Sequence, residues 1–301
     1  MQGFVCELCP RRCGVRRELE RTGPGRCRMG ALPVVARAAP HHWEEPCVSG
    51  SRGSGAVFFS GCSLGCVFCQ NSPISQRDEG AMVSIEGLRS IFADLAAQGV
   101  HNLNLVNPTH FALAIHEALA EPPGLPVVYN TGGYERVETL RMLDGQVQVY
   151  LPDLKYLRGD MAQRYSDAAD YPQAATAALQ EMARQVGPAQ FDREGLLIRG
   201  LMVRHLVLPG QIAQAKAVLR YIKDELPPGT LVSLMGQYLP CGRAAQYPEI
   251  NRRLSRREYD QAVDCLYALG FEAGYVQDRA SAQSAYIPDF HLQGVTPYIL
   301  K

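Results

Sequence analysis

The sequence lacks an excess of charge of either sign, because 30 Lys and Arg residues match 30 Asp and Glu residues in a chain of 301. A surface without net charge offers no global attraction for nucleic acid or for an anionic membrane, so we expect neither partner. No apolar run approaches the roughly 18 residues that a membrane span needs, and the first residues, MQGFVCELCPRRC, contain no signal-peptide core. These absences predict a soluble, cytoplasmic protein.

Cysteine, by contrast, is plentiful, with ten in the chain. In a reducing cytoplasm, clustered cysteines more often bind metal or react than form disulfides. Seven of the ten fall into two groups with short spacings, whereas Cys241 and Cys265 stand alone and are interpreted as small buried hydrophobic residues. The sequence therefore predicts two metal-binding segments.

Composition divides the chain near residue 50. Residues 1–50 are rich in Cys, Arg, Gly and Pro and show little periodicity, and residues 49–55 form a turn-rich joint. We expect residues 1–50 to be a small segment that binds a metal or a cluster, and residues 51–301 to be an α/β core with a C-terminal extension.

Short apolar runs alternate with amphipathic segments from residue 56 onward, which indicates βα units and a parallel sheet. Polar or special side chains follow nearly every predicted strand, including Cys62, Asn107, Asn130, Asp153 and Gln237. In α/β barrels the active site lies at the carboxyl ends of the strands. The predicted fold is therefore a partial barrel of about six βα units. Its predicted strands are residues 56–59, 103–106, 127–129, 147–151, 201–208 and 231–235, with a further candidate at 271–276.

The spacing C-x3-C-x2-C joins Cys62, Cys66 and Cys69 in one loop. Thiolates are the natural ligands of iron–sulfur clusters, and three of them leave one iron of a [4Fe–4S] cluster open. Zinc prefers four ligands, and no fourth Cys or His is close in sequence. A zinc site and three unligated cysteines nevertheless remain alternatives.

The N-terminal group has the spacing C-x2-C-x3-C-x13-C and consists of Cys6, Cys9, Cys13 and Cys27. Four thiolates suit either zinc or a second [4Fe–4S] cluster, and the interpretation leans slightly to the cluster. Cys47 could replace one of these ligands. A bound metal would also help a polar, glycine-rich segment to fold.

Phe68, directly before the last cysteine of the loop, completes a C-x3-C-x-aromatic-C motif that resembles the signature of the radical SAM superfamily. The resemblance extends over most of the chain and is closest to the family related to pyruvate formate-lyase activating enzyme, often called PflX-like. The motifs that carry it are Glu44-Glu45-Pro46, Phe59-Ser60-Gly61-Cys62, Cys69-Gln70-Asn71, Asn107-Pro108-Thr109-His110, Tyr129-Asn130-Thr131-Gly132, Leu151-Pro152-Asp153-Leu154-Lys155-Tyr156, Arg204-His205-Leu206-Val207-Leu208-Pro209-Gly210 and Met235-Gly236-Gln237-Tyr238.

This resemblance implies an enzyme that cleaves S-adenosylmethionine (SAM) at a [4Fe–4S] cluster, with an electron from a reductant such as flavodoxin or ferredoxin. The resulting 5′-deoxyadenosyl radical would abstract hydrogen from a substrate. The residues implied in SAM binding are Phe68 near the adenine, Asn107 and Thr109 in place of the superfamily's glutamate, Asp153 and Lys155, and more weakly Asn130, Arg204 and Gln237. A purely structural ion pair at the strand end is the alternative for Asp153 and Lys155.

The resemblance favours activation of a glycyl-radical enzyme as the function. In the usual activase, however, the extra cysteines follow the three-cysteine loop, whereas here they precede it. Radical modification of a small molecule, a lipid or another macromolecule is the alternative, and a zinc-dependent interaction protein is the non-enzymatic one. The histidines and carboxylates of residues 41–45 could bind metal or transfer protons, although such a run is more often structural or lies on the surface.

Overall fold

The computed structural model describes residues 3–19, 23–271, 273–278 and 288–300. The chain begins with a small antiparallel ribbon of β1 (Phe4–Val5) and β2 (Arg16–Arg17). All later strands of the described residues belong to one sheet. They are β3 (Val34–His41), β4 (Ser54–Phe59), β5 (Ala81–Met82), β6 (Leu103–Val106), β7 (Val127–Thr131), β8 (Val149–Pro152), β9 (Gln190–Phe191), β10 (Leu197–Leu206), β11 (Leu231–Met235) and β12 (Gly274–Val276).

The strand order is β12-β11-β10-β8-β7-β6-β4-β3-β5, and β9 pairs with β10. Every pair from β4 to β12 along this order is parallel, while β3 runs antiparallel to β4 and to β5. Within the described part of the chain, no pairing joins the two edges of the sheet. The structure therefore confirms the predicted partial barrel, with all six expected strands and a seventh parallel strand at β12.

The helices follow the strands and pack on one another in neighbouring pairs, such as α3 with α4, α5 with α7 and α8 with α9. The helices of residues 85–97, 171–186 and 212–225 contact strands of the sheet and bury apolar side chains at the spacing of a 3.6-residue period. The helices are α1 (Pro46–Ser49), α2 (Ser72–Gln76), α3 (Ile85–Ala97), α4 (Ala112–Ala118), α5 (Val137–Met142), α6 (Gly159–Ser166), α7 (Tyr171–Val186), α8 (Ile212–Glu225) and α9 (Arg256–Ala268).

Local signals set several helix ends. Ser84 caps α3, because its side chain accepts a hydrogen bond from the backbone N–H of Gly87, as the sequence predicts. The helical region expected at 159–186 is instead two helices. Asp167 adopts a left-handed conformation with φ of 53° and ends α6, and α7 begins after a short turn with Pro172 in its first turn.

The expected N-terminal segment shares the main sheet, because β3 lies within residues 1–50 and pairs with β4 along six registered positions. Strands and helices enclose one large apolar core that includes Phe59, Phe111, Tyr129 and Tyr150. Among the described residues, no helix combines the length and apolarity needed to cross a membrane. The sheet thus directs the carboxyl ends of seven parallel strands toward the same side.

Candidate functional site

A cavity of about 470 Å³ lies at the carboxyl ends of the parallel strands. Two of the loop cysteines, Cys66 and Cys69, line it. The predicted residues that also line it are Phe68, Asn130, Asp153, Lys155, Arg204 and Gln237. Residues from the ends of β4, β7, β8, β10 and β11 therefore meet at one place, because parallel strands bring their carboxyl ends to one edge.

Backbone hydrogen bonds hold the three-cysteine loop against the barrel. Gly65 N donates to Ser166 O and Val67 N to Tyr165 O, both at 2.9 Å, at the end of α6. At the start of the loop Gly61 has φ of 80°, and a Cβ there would lie 2.7 Å from Cys27 O, so only glycine fits between strand β4 and the N-terminal segment.

Each thiol of the loop has at least one polar neighbour. Cys66 Sγ lies 3.0 Å from Ser166 Oγ, Cys69 Sγ lies 3.2 Å from Ser75 Oγ, and Leu64 N donates to Cys62 Sγ at 3.4 Å. Burial raises the pKa of Cys62 to about 12 and of Cys69 to about 11, and the neighbouring thiols add to both shifts. Metal ligation would reverse these shifts, because a bound metal deprotonates its thiols.

All ten cysteines are free thiols. Among residues 3–19, 23–271, 273–278 and 288–300, no three His, Cys, Asp or Glu side chains are arranged to hold a metal ion. The three loop thiols nevertheless interact electrostatically. In a cubane cluster each thiolate binds a different iron, so its thiolates stand further apart than the ligands of one ion. Three free thiols in one loop, two of them lining the cavity and each with a polar neighbour, are a donor set that suits such a cluster.

Asp153, Lys155 and Arg204 form a chain of charges along the cavity wall. Lys155 Nζ pairs with Asp153 Oδ2, and Arg204 Nε donates to Asp153 Oδ1 at 3.0 Å. Burial would raise the pKa of Asp153, but Lys155 and Arg204 together hold it below its ordinary value. Burial would likewise lower the pKa of Lys155, yet Asp153 raises it above the ordinary value. All three groups are therefore charged at neutral pH.

Glu44 extends this network and was not predicted to be part of the site. Arg204 Nη1 donates to Glu44 Oε2 at 3.1 Å, and the amides of Asn104 and Asn130 donate to Glu44 Oε1 at 2.9 and 3.0 Å. Arg204 Nη2 also donates to Asn130 Oδ1 at 2.6 Å. This carboxylate lies in a hydrogen-bonded network on the cavity wall and not on the surface, because β3 runs beside β4 and brings the segment after it onto the cavity. The signal that could have found it was the Glu44-Glu45-Pro46 motif.

Asn107 and Thr109 do not line the cavity. Asn107, with a left-handed φ of 59°, donates from Nδ2 to Gly61 O at 2.6 Å, and its Oδ1 lies 3.5 Å from Cys62 Sγ. Thr109 is buried and donates to Glu135 Oε1 at 2.5 Å. Asn107 therefore supports the base of the cysteine loop, while Thr109 belongs to a buried polar cluster behind it.

Cys241 also lies beside the loop, although its isolated position in the sequence predicts no partner. It is half-buried, and its thiol donates to Phe68 O at 3.1 Å, while the backbone N–H of Arg243 donates to Val67 O at 2.6 Å. The segment after β11 thus packs against the three-cysteine loop. Sequence separation of more than 170 residues hid this contact.

The four N-terminal cysteines lie close to one another, since Cys27 interacts electrostatically with Cys6 and Cys13, and Cys9 with Cys6 and Cys27. The buried guanidinium of Arg17 donates from Nη2 to Cys27 Sγ at 2.9 Å. Burial raises the pKa of Cys27, and Arg17 opposes that rise. A buried cation beside the thiols suits a site that carries negative charge when its thiols are ligated.

Cys47 lies apart from this group. It is buried in a second apolar cluster inside the barrel, beside Val48, Val128 and Leu231, and interacts with Tyr275. Burial raises the pKa of its thiol to about 11. These surroundings are those of a small core residue.

No protein-family model matches the sequence. A curated protein of Methanocaldococcus jannaschii, the uncharacterized protein MJ0674, is 31% identical to this chain over 274 residues, which covers 86% of this chain and 73% of that protein. This degree of identity over most of both chains reflects common descent.

Two crystal structures of Streptococcus suis SuiB share the fold. The one bound to S-adenosylmethionine matches with a TM-score of 0.50 at 12% identity, over 72% of this chain and 48% of SuiB. The one bound to the precursor peptide SuiA matches with a TM-score of 0.52 at 13% identity, over 72% of this chain and 46% of SuiB. The chain thus spans about half the length of SuiB, and the likeness shows a common fold.

Proposed function

This chain belongs to the same family as the uncharacterized protein MJ0674 of Methanocaldococcus jannaschii, and we propose that it is a radical SAM enzyme. The observation that carries the proposal is that Cys66 and Cys69 line the same cavity as Asp153, Lys155 and Arg204. The SAM bound to SuiB, whose fold this chain shares, supports the choice of ligand.

When bound, a [4Fe–4S] cluster and SAM would supply, with one electron from a reductant such as flavodoxin or ferredoxin, a 5′-deoxyadenosyl radical that abstracts hydrogen from a substrate. Cys62, Cys66 and Cys69 would hold three irons and leave the fourth for SAM. The surrounding barrel would exclude water from the site.

The chain's own polar residues would orient SAM. We assign the SAM carboxylate to Lys155, because its ammonium lines the cavity and is charged at neutral pH. Asp153 and Arg204 would hold Lys155 in place, and Phe68 would contact the adenine. Asn130 and Gln237 line the same wall and are the further SAM contacts proposed. Asn107 and Thr109 would act indirectly. Asn107 would support the cysteine loop, and Thr109 would act through the buried polar cluster.

Anaerobic reconstitution with iron and sulfide, followed by reduction and addition of SAM, tests this function. We expect 5′-deoxyadenosine from the native protein and none from Cys66→Ala. Cys265→Ala is the matched control, since it removes a half-buried thiol outside both groups and should keep native turnover. A native protein that holds an intact cluster and yields no 5′-deoxyadenosine would overturn the proposal.

We propose that residues 1–50 contain a second centre at Cys6, Cys9, Cys13 and Cys27, auxiliary to the core of residues 51–301. A [4Fe–4S] cluster is favoured over zinc, because these thiols interact with one another and yet no three are arranged around one ion within the described residues. Elemental analysis of Cys66→Ala decides between them: residual iron and sulfide support the cluster, whereas stoichiometric zinc overturns it. Cys9→Ala should lose this metal and keep some SAM cleavage.

For the substrate we propose a backbone glycine of a partner protein, as in glycyl-radical activation. The precursor peptide bound to SuiB supports a peptide substrate for this fold. A cytoplasmic location, where thiols stay reduced, fits both proposed centres. A protein extract labelled with deuterated glycine tests the choice: deuterium transferred to 5′-deoxyadenosine supports it. Transfer from small molecules or lipids alone favours the alternative function.

A further inference from the structure

A second, smaller cavity of about 240 Å³ adjoins the first. Pockets for whole ligands of drug or cofactor size measure roughly 300–1,000 Å³, so the larger cavity suits a cofactor and the smaller one suits a single side-chain-sized group. Residues on the wall between them line both cavities: Trp43, Glu44, Arg204, Met235, Gln237 and Gln277. A group in the smaller cavity would thus lie next to whatever occupies the larger.

Two hydrogen-bond acceptors on residues that line the smaller cavity have no donor. Glu45 Oε2 and Gln277 Oε1 are buried and lack a hydrogen-bond partner within the part of the chain that the structure describes. The amide nitrogen of Gln277 is already used, since it donates to Gln237 Oε1 at 2.9 Å. Buried acceptors without donors are costly, so this cavity favours a ligand that brings N–H donors.

The charges lead to the same conclusion. Arg204 pairs with Glu44 and Asp153, and Lys155 pairs with Asp153, so both cations of the two cavity walls are already engaged. Glu45 has no ion pair within 4 Å among the described residues, which leaves one carboxylate in excess. Burial and the charge of Glu44 raise the pKa of Glu45, and Arg204 with a hydrogen bond from Ser233 offsets this only in part. A positively charged ligand would remove that penalty.

Trp43 adds an aromatic surface at the mouth of this cavity. Its side chain is 60% exposed and lines both cavities. The face of an indole attracts ammonium and guanidinium groups more strongly than any other aromatic side chain. An aromatic ring and an unmatched carboxylate on the wall of one cavity are an arrangement that recognises an organic cation.

We propose that the smaller cavity binds an organic cation of the substrate, an alkylammonium or guanidinium group, between Glu45, Gln277 and Trp43. This inference rests on the proposed function, since it identifies a chemical class for the substrate of the same site. The cation would anchor the substrate beside the SAM cavity. It would come from a Lys or Arg side chain of a peptide or from a free amine.

Trp43 is the protein's single tryptophan and lines both cavities, so its fluorescence reports on the wall that they share. The reconstituted protein, kept anaerobic and unreduced, is titrated with n-butylammonium and with 1-butanol, a neutral molecule of similar size, and binding is also followed by calorimetry. We expect saturable binding of n-butylammonium, with a change in Trp43 fluorescence, and no saturable binding of 1-butanol. Equal binding of the two would overturn the proposal.

Two controls locate the binding. Glu45→Gln removes the charge and keeps the shape, and it should weaken n-butylammonium binding by about tenfold or more. Glu86→Gln makes the same change at an exposed site on α3 and should bind as the native protein does. Saturating SAM should leave n-butylammonium binding intact. Loss of binding in the presence of SAM, or unchanged binding by Glu45→Gln, would overturn the assignment.

A comparison of the peptide Gly-Lys-Gly with n-butylammonium identifies the source of the cation. Tighter binding of the peptide Gly-Lys-Gly than of n-butylammonium indicates a peptide side chain, and equal or weaker binding indicates a free amine. The 5′-deoxyadenosine assay stays separate. Native protein that cleaves SAM and does not bind n-butylammonium would overturn this inference alone, whereas binding without SAM cleavage would overturn the proposed function alone.

Discussion

Asp153, directly beyond the end of β8, forms an ion pair with Arg204, which lies near the carboxyl end of the adjacent parallel strand β10, with 3.0 Å between Asp153 Oδ1 and Arg204 Nε. The two residues also form an isolated parallel bridge, and Leu154 N donates to Arg204 O at 2.9 Å, so the backbone fixes the distance between them. Asp153 uses its other oxygen for Lys155, and Arg204 uses a second nitrogen for Glu44. One carboxylate thus holds two cations on the wall of the cavity.

Replacement of Asp153 by Asn should destabilise the protein. The change leaves Lys155 and Arg204, both largely buried, to repel each other without a shared anion, and loss of one partner of a buried ion pair costs about 3 kcal/mol. Urea unfolding measures the free-energy loss. Asp160→Asn removes a carboxylate from an exposed pair with Arg158 and should cost far less stability, because water screens an exposed pair. Similar losses for the two variants would contradict this view of the network.

Replacement of Lys155 by Met should weaken SAM binding. Met keeps much of the length and apolar stem of lysine and removes the charge assigned to the SAM carboxylate, so we expect a Kd at least about tenfold higher. Equilibrium binding to reconstituted, unreduced protein measures it. Lys216→Met, on α8, serves as the matched control and should keep the native Kd. Native affinity for SAM in Lys155→Met would mean that another group binds the SAM carboxylate.

Gly133 should not tolerate a side chain. It has φ of 79°, and an added Cβ would collide with the backbone oxygen of Asp153. Gly133→Ala should therefore unfold more readily and lose SAM affinity, because Asp153 must move. Gly145 has φ of 84° with nothing within 4 Å of an added Cβ, so Gly145→Ala should cost only the roughly 1–2 kcal/mol of left-handed strain. Urea unfolding and the Kd for SAM, measured for both variants, separate the effect of the collision from that of left-handed strain. Equal losses of stability and of SAM affinity in the two variants would exclude the collision.

Glu135 should make stability depend on pH. It is buried beneath Thr109, Thr131 and Tyr129, and burial raises its pKa from 4.5 to about 7. The folded state therefore favours the protonated carboxyl, so its contribution is fully present below pH 4.5 and is lost as pH rises through about 7.

Glu135→Gln imitates the protonated form and retains an oxygen that can accept from both threonines. It should remove up to about 3 kcal/mol of pH dependence in the unfolding free energy between pH 4.5 and 7. Urea unfolding across this range, at constant ionic strength, measures it. Glu225→Gln, at the exposed end of α8, should leave the slope unchanged. If Glu135→Gln kept the native pH dependence of the unfolding free energy, other groups would be responsible for that dependence.

Much of the fold could be read from the sequence, because βα units carry short-range signals. Apolar runs predicted the parallel strands, and Ser84 predicted the start of α3. The break at Asp167 was missed because a left-handed residue ends a helix without interrupting its apolar period. Strand β3 was missed because its pairing partner lies on the other side of a turn-rich segment, and its residues show no clear alternation.

The sequence by itself determined the chemistry available to this protein. Spacing set the two cysteine groups, and strand-following positions predicted that Asp153, Lys155 and Gln237 would face one edge. Only the tertiary structure decided which carboxylates join them. Glu44 and Glu45 reach the cavities through the pairing of β3 with β4, and Cys241 backs the cysteine loop from a distant segment. Such contacts depend on the packing of segments far apart in the chain, and that packing follows from the summed burial of many side chains, which no local spacing records.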